Sequence, residues 1–98
     1  MRTRYIVAYD VSDSKRLRRV FRTMKGYGDP LQYSVFQCDL SPSERILMIE
    51  ALNAIIHNRE DQVMLINIGP SENRGSQSIE TIGRALPEAE IDRIAVIV

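Results

Sequence analysis

The apolar residues of this chain change period as the sequence runs, and the order of those changes leaves few folds open. Tyr5, Val7 and Tyr9 alternate with Ile6, Ala8 and Asp10, the period of a strand. Leu17, Val20, Phe21 and Met24 then fall on one helical stripe, and Ser12, Asp13 or Ser14 can cap that helix. Gly26 and Gly28 stop it, and Asp29-Pro30 reads as a turn. Leu31–Leu40 is extended again, as one bent strand or as two short ones meeting near Ser34. In Ser41-Pro42-Ser43-Glu44, a serine cap, a proline in the first helical position and a returning glutamate spell a second helix start. That helix is expected to reach about Asn58, with Met48, Leu52, Ile55 and Ile56 inward. Gln62–Ile68 is almost continuously apolar, which predicts a central strand covered on both faces. Residues 69–78 read as a polar loop and Ile79–Ile82 as a short strand. Ile91–Val98 reads as an apolar strand that must pair with its own sheet or with a partner's.

Strand, helix, strands, helix, strand predicts an α+β sandwich with both helices on one sheet face. The ferredoxin-like βαββαβ arrangement leads. At 98 residues the chain is read as a single domain over residues 1–98 with a modest core. The sheet face opposite the helices stays apolar, which predicts a face-to-face homodimer. Hydrophobic residues make up 44% of the chain, which excludes intrinsic disorder. No apolar run approaches the ~18 residues of a membrane span, and Met1–Val7 is too short an apolar run for a secretory signal, so the cytoplasm is the expected compartment. The lone cysteine, Cys38, excludes an internal disulfide framework and a Cys/His zinc site.

Charge is distributed unevenly under a net charge of zero. Residues 1–27 carry eight basic side chains against Asp10 and Asp13, a net +6, and the remainder carries −6. Arg2, Arg4, Lys15, Arg16, Arg18, Arg19, Arg22 and Lys25 supply the positive share, most of it on the first helix. Such asymmetry suits a surface that meets a polyanion, or a solvated helix face balanced by acids elsewhere. His57 stands near a helix C-terminus, where a cation is welcome, and Cys38 in a strand reads as a small buried hydrophobe. The serines lack a nucleophile elbow, and the glycines do not form a phosphate loop. Asp10 is the informative residue. A carboxylate at a strand's C-terminal end can hold a hard cation, above all if a dimer axis brings a second one to it; it can equally cap the following helix.

Three segments together resemble the CRISPR-associated Cas-two family. They are Tyr5-Ile-Val-Ala-Tyr-Asp10-Val-Ser, the basic helix ending in Gly26-Tyr27-Gly28, and Gln32-Tyr33-Ser34-Val35-Phe36-Gln37-Cys38. Their order and spacing agree with the family across residues 5–68. The resemblance implies a ferredoxin-like homodimer whose last strand, about residues 91–98, crosses to the other protomer's sheet. It implies that the two copies of Asp10 face each other and bind a divalent metal, Mg2+ or another cation such as Mn2+. It places Tyr9, Ser34 and Phe36 with Asp10 as catalytic-cleft residues, and Lys15, Arg16, Arg18, Arg19 and Arg22 as nucleic-acid-binding. The implied activity is metal-dependent endonuclease hydrolysis of single-stranded RNA or double-stranded DNA. The implied biological role is CRISPR spacer acquisition, in which the dimer bridges dimers of the integrase Cas-one and grips duplex DNA by its phosphates. Asp29-Pro30-Leu31 stands where the family often carries a basic residue. A messenger-RNA interferase toxin of the same fold is the nearest rival, and a ferredoxin-like regulatory dimer is a rival of another class.

Overall fold

The structure, a computed structural model, describes residues 1–71 and 79–84. Its elements run β1 (Thr3–Asp10), α1 (Ser14–Lys25), β2 (Asp29–Gln32), β3 (Val35–Leu40), α2 (Pro42–Asn53) and β4 (Gln62–Pro70). The strands form one antiparallel sheet in the order β2-β3-β1-β4. This is the ferredoxin-like α+β topology, and it makes β1 a central strand.

Strand alternation builds the core. On one sheet face Val7 stands opposite Phe36 and Leu65, and Tyr5 opposite Cys38. Against that face pack Val20, Phe21 and Met24 of α1 and Met48 and Leu52 of α2, all buried. Asp13 caps α1, its side chain accepting from the Arg16 backbone N–H at 3.0 Å. Ser41 caps α2 in a full capping box: Ser41 Oγ accepts from Glu44 N–H at 3.2 Å and Glu44 Oε1 accepts from Ser41 N–H at 2.8 Å.

Several sequence expectations are corrected. Asp29 and Pro30 lie inside β2 rather than in a turn, and the reversal falls at Tyr33 and Ser34. Pro30 is tolerated there because β2 is an edge strand among the described residues. The second helix ends at Asn53; Ile55 and Ile56 still pack on the core, from the turn that follows it. Its end comes where Ile55 and Ile56 both donate to the Leu52 carbonyl, at 3.0 Å each, and the backbone turns off the helix axis. β4 is an edge strand among the described residues, with Met64 48% and Ile66 46% exposed, so its continuous apolarity reflects an open face rather than a second covering layer. A bulge between Arg4 and Tyr5 shifts its register near Gly69, which holds a φ of 120° that a side chain would oppose. Ile79–Ile82 forms no strand, and Ile91–Val98 lies outside the described residues. Among the described residues no helix is long and apolar enough to cross a membrane.

At the start of β1, Arg4 is buried and forks onto Asp39 across the sheet, Nε to Oδ1 at 2.7 Å and Nη2 to Oδ2 at 2.9 Å. Ser71 Oγ adds a bond to the same carboxylate at 2.8 Å. The guanidinium holds the Asp39 carboxyl below its ordinary value of 3.8. Arg4, counted in sequence as surface charge, is therefore interior, with its Nη1 lacking an acceptor.

Candidate nucleic-acid interface and carboxylate site

Asp10 ends β1 and is exposed. It is opposite Gln62 in the β1–β4 ladder. Because Asp13 takes the helix cap, the capping alternative for Asp10 falls away. Among the described residues no group of three or more His, Cys, Asp or Glu side chains gathers to hold a metal ion. Among the described residues Asp10 therefore belongs to no such group, and a cation bound by protein oxygens needs several ligands.

Tyr9 points the opposite way from Asp10, into the helix-covered side, as alternation demands. Its backbone N–H donates to the Ser34 carbonyl at 3.0 Å, and its hydroxyl donates to the Tyr33 carbonyl at 3.1 Å. Burial pushes its phenol well above the ordinary 10.0, so it stays protonated and serves as a donor. Phe36 is wholly buried behind it, stacked on the Tyr9 ring at 6.2 Å and edge-on to Phe21 at 5.4 Å. Of the four residues expected together, Asp10 alone is exposed. Ser34 is half-buried at the turn, and Tyr9 and Phe36 form the wall behind. Tyr9, Asp10, Leu17, Phe21, Tyr33 and Ser34 line a cleft of about 440 Å³ beside the carboxylate. Across the Tyr33-Ser34 turn, Ile82 and Arg84 help line a second hollow of about 520 Å³.

The basic helix divides in two. Lys15, Arg19, Arg22 and Lys25 are exposed and recur every three or four residues, so they share one side of α1; Arg18 is half-buried on the same side. Arg22 and Lys25 also sit in the last turn, where the helix dipole favours cations. Arg16 is engaged elsewhere. Its Nε donates to Asp61 Oδ2 at 2.7 Å, and its Nη2 reaches Asp61 Oδ1 and Glu60 Oε1 at 3.2 Å each. The sequence expectation had grouped Arg16 with the nucleic-acid contacts; the structure spends it on an internal pair.

Sequence reasoning missed Asp61. Its carboxylate has no exposed surface and also accepts from the backbone N–H of Ser12 at 3.1 Å and of His57 at 2.8 Å. These bonds, that of Arg16 foremost, hold its carboxyl far below the ordinary 3.8. His57 lies in the turn after α2, where its Nδ1 accepts from the Arg59 N–H at 3.3 Å. Cys38 is buried, and desolvation pushes its thiol up to about 12.

With this geometry in hand, the relatives of the chain fall into one group. A family model described as CRISPR associated protein Cas2 matches residues 1–74. A CRISPR-associated endoribonuclease Cas2 of Rhodospirillum rubrum is 44% identical over 86 residues, covering 88% of this chain and 83% of the relative. One from Geobacter sulfurreducens is 44% identical over 94 residues, 96% of each. Among solved structures, Streptococcus pyogenes Cas2 superposes with a TM-score of 0.71 at 32% identity, covering 82% of this chain and 99% of that one. A hypothetical protein of Thermus thermophilus superposes at 0.75 with 22% identity, a likeness of fold alone. By the match over residues 1–74 and by these relatives, the chain belongs to the CRISPR associated protein Cas2 family.

Proposed function

We propose that this chain is a nucleic-acid-acting subunit of CRISPR spacer acquisition that works in the cytoplasm as a homodimer. In that role α1 of each protomer grips the phosphates of duplex DNA, and the dimer bridges dimers of the integrase Cas-one. Asp10, with Asp10 of the partner subunit, holds a divalent cation, Mg2+ or Mn2+, for endonuclease hydrolysis. The names of the curated relatives, all endoribonucleases, support RNA as a hydrolytic substrate.

The observation that carries this reading is an exposed carboxylate, Asp10, on the end of a central strand, together with an exposed row of cations, Lys15, Arg19, Arg22 and Lys25, on the helix that follows that strand. The row attracts a polyanion, and a bare carboxylate would repel that polyanion wherever it came within reach. A cation bound at Asp10 removes the conflict. Fit to such an ion is incomplete in one protomer, since among the described residues Asp10 stands in no group of three ligands. The second carboxylate has a physical route: Ile6, Ala8, Val35, Met64 and Ile66 share the open sheet face with Asp10, and burying that face against a second copy is favourable. When bound, a divalent ion neutralises phosphodiester charge and lowers the pKa of water. The chain's own part is to hold that ion with Asp10, to keep the backbone of the substrate in place with α1, and to wall the site with Tyr9 and the Tyr33-Ser34 turn.

The test is integration in vitro with the cognate integrase, run beside RNA hydrolysis with and without chelator. The variants are Asp10→Asn and the triple change Lys15→Glu, Arg19→Glu, Arg22→Glu. The triple variant is expected to lose duplex binding and integration, and Asp10→Asn to lose hydrolysis. Undiminished duplex binding by a folded triple variant sinks the α1 reading. Growth arrest on expression, with no integration, would move the interferase reading to the front.

A further inference from the structure

We infer that Asp61 is a positioning residue for Asp10, an inference that rests on the metal reading of Asp10 above. The two residues stand at one end of the sheet. Asp10 pairs with Gln62, and Asp61 immediately precedes Gln62. The Asp61 carboxylate gathers three separate pieces of chain. Oδ1 accepts from Ser12 N–H at 3.1 Å, Ser12 Oγ at 3.4 Å and Arg16 Nη2 at 3.2 Å. Oδ2 accepts from Arg16 Nε at 2.7 Å and from His57 N–H at 2.8 Å. The connection after β1, the first turn of α1 and the turn before β4 are thereby fixed to one another.

A carboxylate with no exposed surface costs free energy unless its partners satisfy it, and a merely stabilising role could be met by apolar packing. What this carboxylate supplies that packing would not is direction, because it grips the backbone N–H two residues beyond Asp10. On the other side of Asp10, Tyr9 is pinned by its backbone bond to Ser34 and its hydroxyl bond to the Tyr33 carbonyl. Val11, between Asp10 and Ser12, is buried. Asp10 is thus an exposed side chain whose neighbours on both sides are tied. An aspartate has only two side-chain torsions, so fixing its backbone narrows its carboxylate to a few rotamer positions. Where two such carboxylates share one ion, any displacement enters once from each protomer.

Arg16 takes its meaning from the same cluster. It neutralises Asp61, which accounts for its engagement with Asp61 and Glu60 rather than with the exposed row of cations.

The experiment compares wild type, Asp61→Asn, Asp10→Asn and Ser41→Ala as homodimers, well below the lowest melting temperature. Ser41→Ala is the control for lost stability, because Ser41 follows Leu40, which pairs with Thr3 at the far end of β1 from Asp10. Two quantities are read: amide hydrogen exchange at Ser12 without metal, and half-saturation by Mn2+. An asparagine at position 61 places an N–H donor against donors, so Ser12 exchange is expected to speed up. Loss of a group bonded directly to a metal ligand typically costs about 10–100-fold in metal affinity; Asp61 acts one step further out, through the Ser12 backbone, and a shift of up to about 10-fold is expected for Asp61→Asn. Ser41→Ala is expected to leave both unchanged. Unchanged exchange and half-saturation in Asp61→Asn, or equal shifts in Ser41→Ala, overturn the inference. Wild type against Asp10→Asn tests the metal reading separately. Were Mn2+ uptake identical in those two, that reading would fall, and Ser12 exchange would decide alone whether Asp61 is the clamp.

Discussion

Replacing Phe36 by leucine separates a residue that builds the site from one that does chemistry in it. Phe36 is completely buried, so its ring reaches no substrate from within one protomer. It supports the site from behind, stacked on Tyr9 at 6.2 Å and edge-on to Phe21 at 5.4 Å. Truncation to alanine would cost about 3–5 kcal/mol, comparable to the whole stability of a small domain, and would read out only unfolding. Leucine keeps most of the volume. A near-isosteric core swap costs up to about 1.5 kcal/mol, and each of the two lost aromatic pairs adds about 0.5–1.5 kcal/mol, so the total lies at about 1–4.5 kcal/mol, centred on about 2–3 kcal/mol. For a domain of this size the central value of about 2–3 kcal/mol lowers Tm by about 8–24 °C. The assay is urea unfolding and thermal melting at one fixed protomer concentration, since association shifts apparent stability. RNA hydrolysis is then measured per folded molecule, far below the variant's Tm. Hydrolysis close to wild type is expected. A Phe36→Leu protein of near-native stability that has lost its hydrolysis would refute the reasoning and return the ring to the chemistry.

Three further outcomes follow from the same contacts. Gly28→Ala would press a Cβ to 2.5 Å from Cys38 Sγ and closer still to the Gln37 carbonyl, so it should cost about 1–3 kcal/mol or more, read by urea unfolding. The Cys38 thiol, buried and pushed up to about 12, should resist iodoacetamide in the folded protein and react only on unfolding; fast labelling under native conditions would contradict its placement. Asp39 and Asp61 both have carboxyl pKa values held below 3.8 by an arginine bond, so the stability they confer is complete above that value and drains away as pH falls through it. Tm should be flat near neutrality and drop below about pH 4, and Asp39→Asn should make that acid limb shallower.

Local signals were legible wherever one segment determined its own structure. The Ser41-Pro42-Ser43-Glu44 start folds as read, because a capping box is closed by residues three apart. The stripe of Val20, Phe21 and Met24 is buried as its period requires, with Leu17 packed at the margin. The errors arose where the answer depended on what lies opposite. Apolarity in Gln62–Pro70 has one appearance for a strand covered on both faces and for an edge strand with an open apolar face. The end of α2 is misread because Ile55 and Ile56 pack, partly buried, against the core from a turn at nearly helical spacing. In the site, Asp10 was found because it ends a strand, whereas Asp61 meets Arg16 across 45 positions and no local pattern joins them.

That distance in sequence also bears on how a basic helix is to be read. In the sequence Arg16, Arg18, Arg19 and Arg22 are equivalent charges. In the fold the helix period assigns them to different neighbours, so Arg16 faces the β4 side and meets a buried carboxylate, while Arg19 and Arg22 face solvent. A phosphate ligand must remain free to exchange water for phosphate, and an arginine forked onto a buried aspartate is not free to do so. Counting arginines therefore overstates the polyanion surface of α1, and the salt dependence of DNA binding should reflect the exposed row only. Each phosphate contact contributes about 0.9 to the slope of log K against log salt on duplex DNA. Neutralising Arg19 or Arg22 should lower the slope by about that amount, measured by fluorescence anisotropy across a salt series. Arg16→Gln should leave the slope unchanged while loosening the connection that follows Asp10. An equal fall in slope for Arg16→Gln would show that the pair with Asp61 opens to admit phosphate, and the division of the helix into two roles would be wrong.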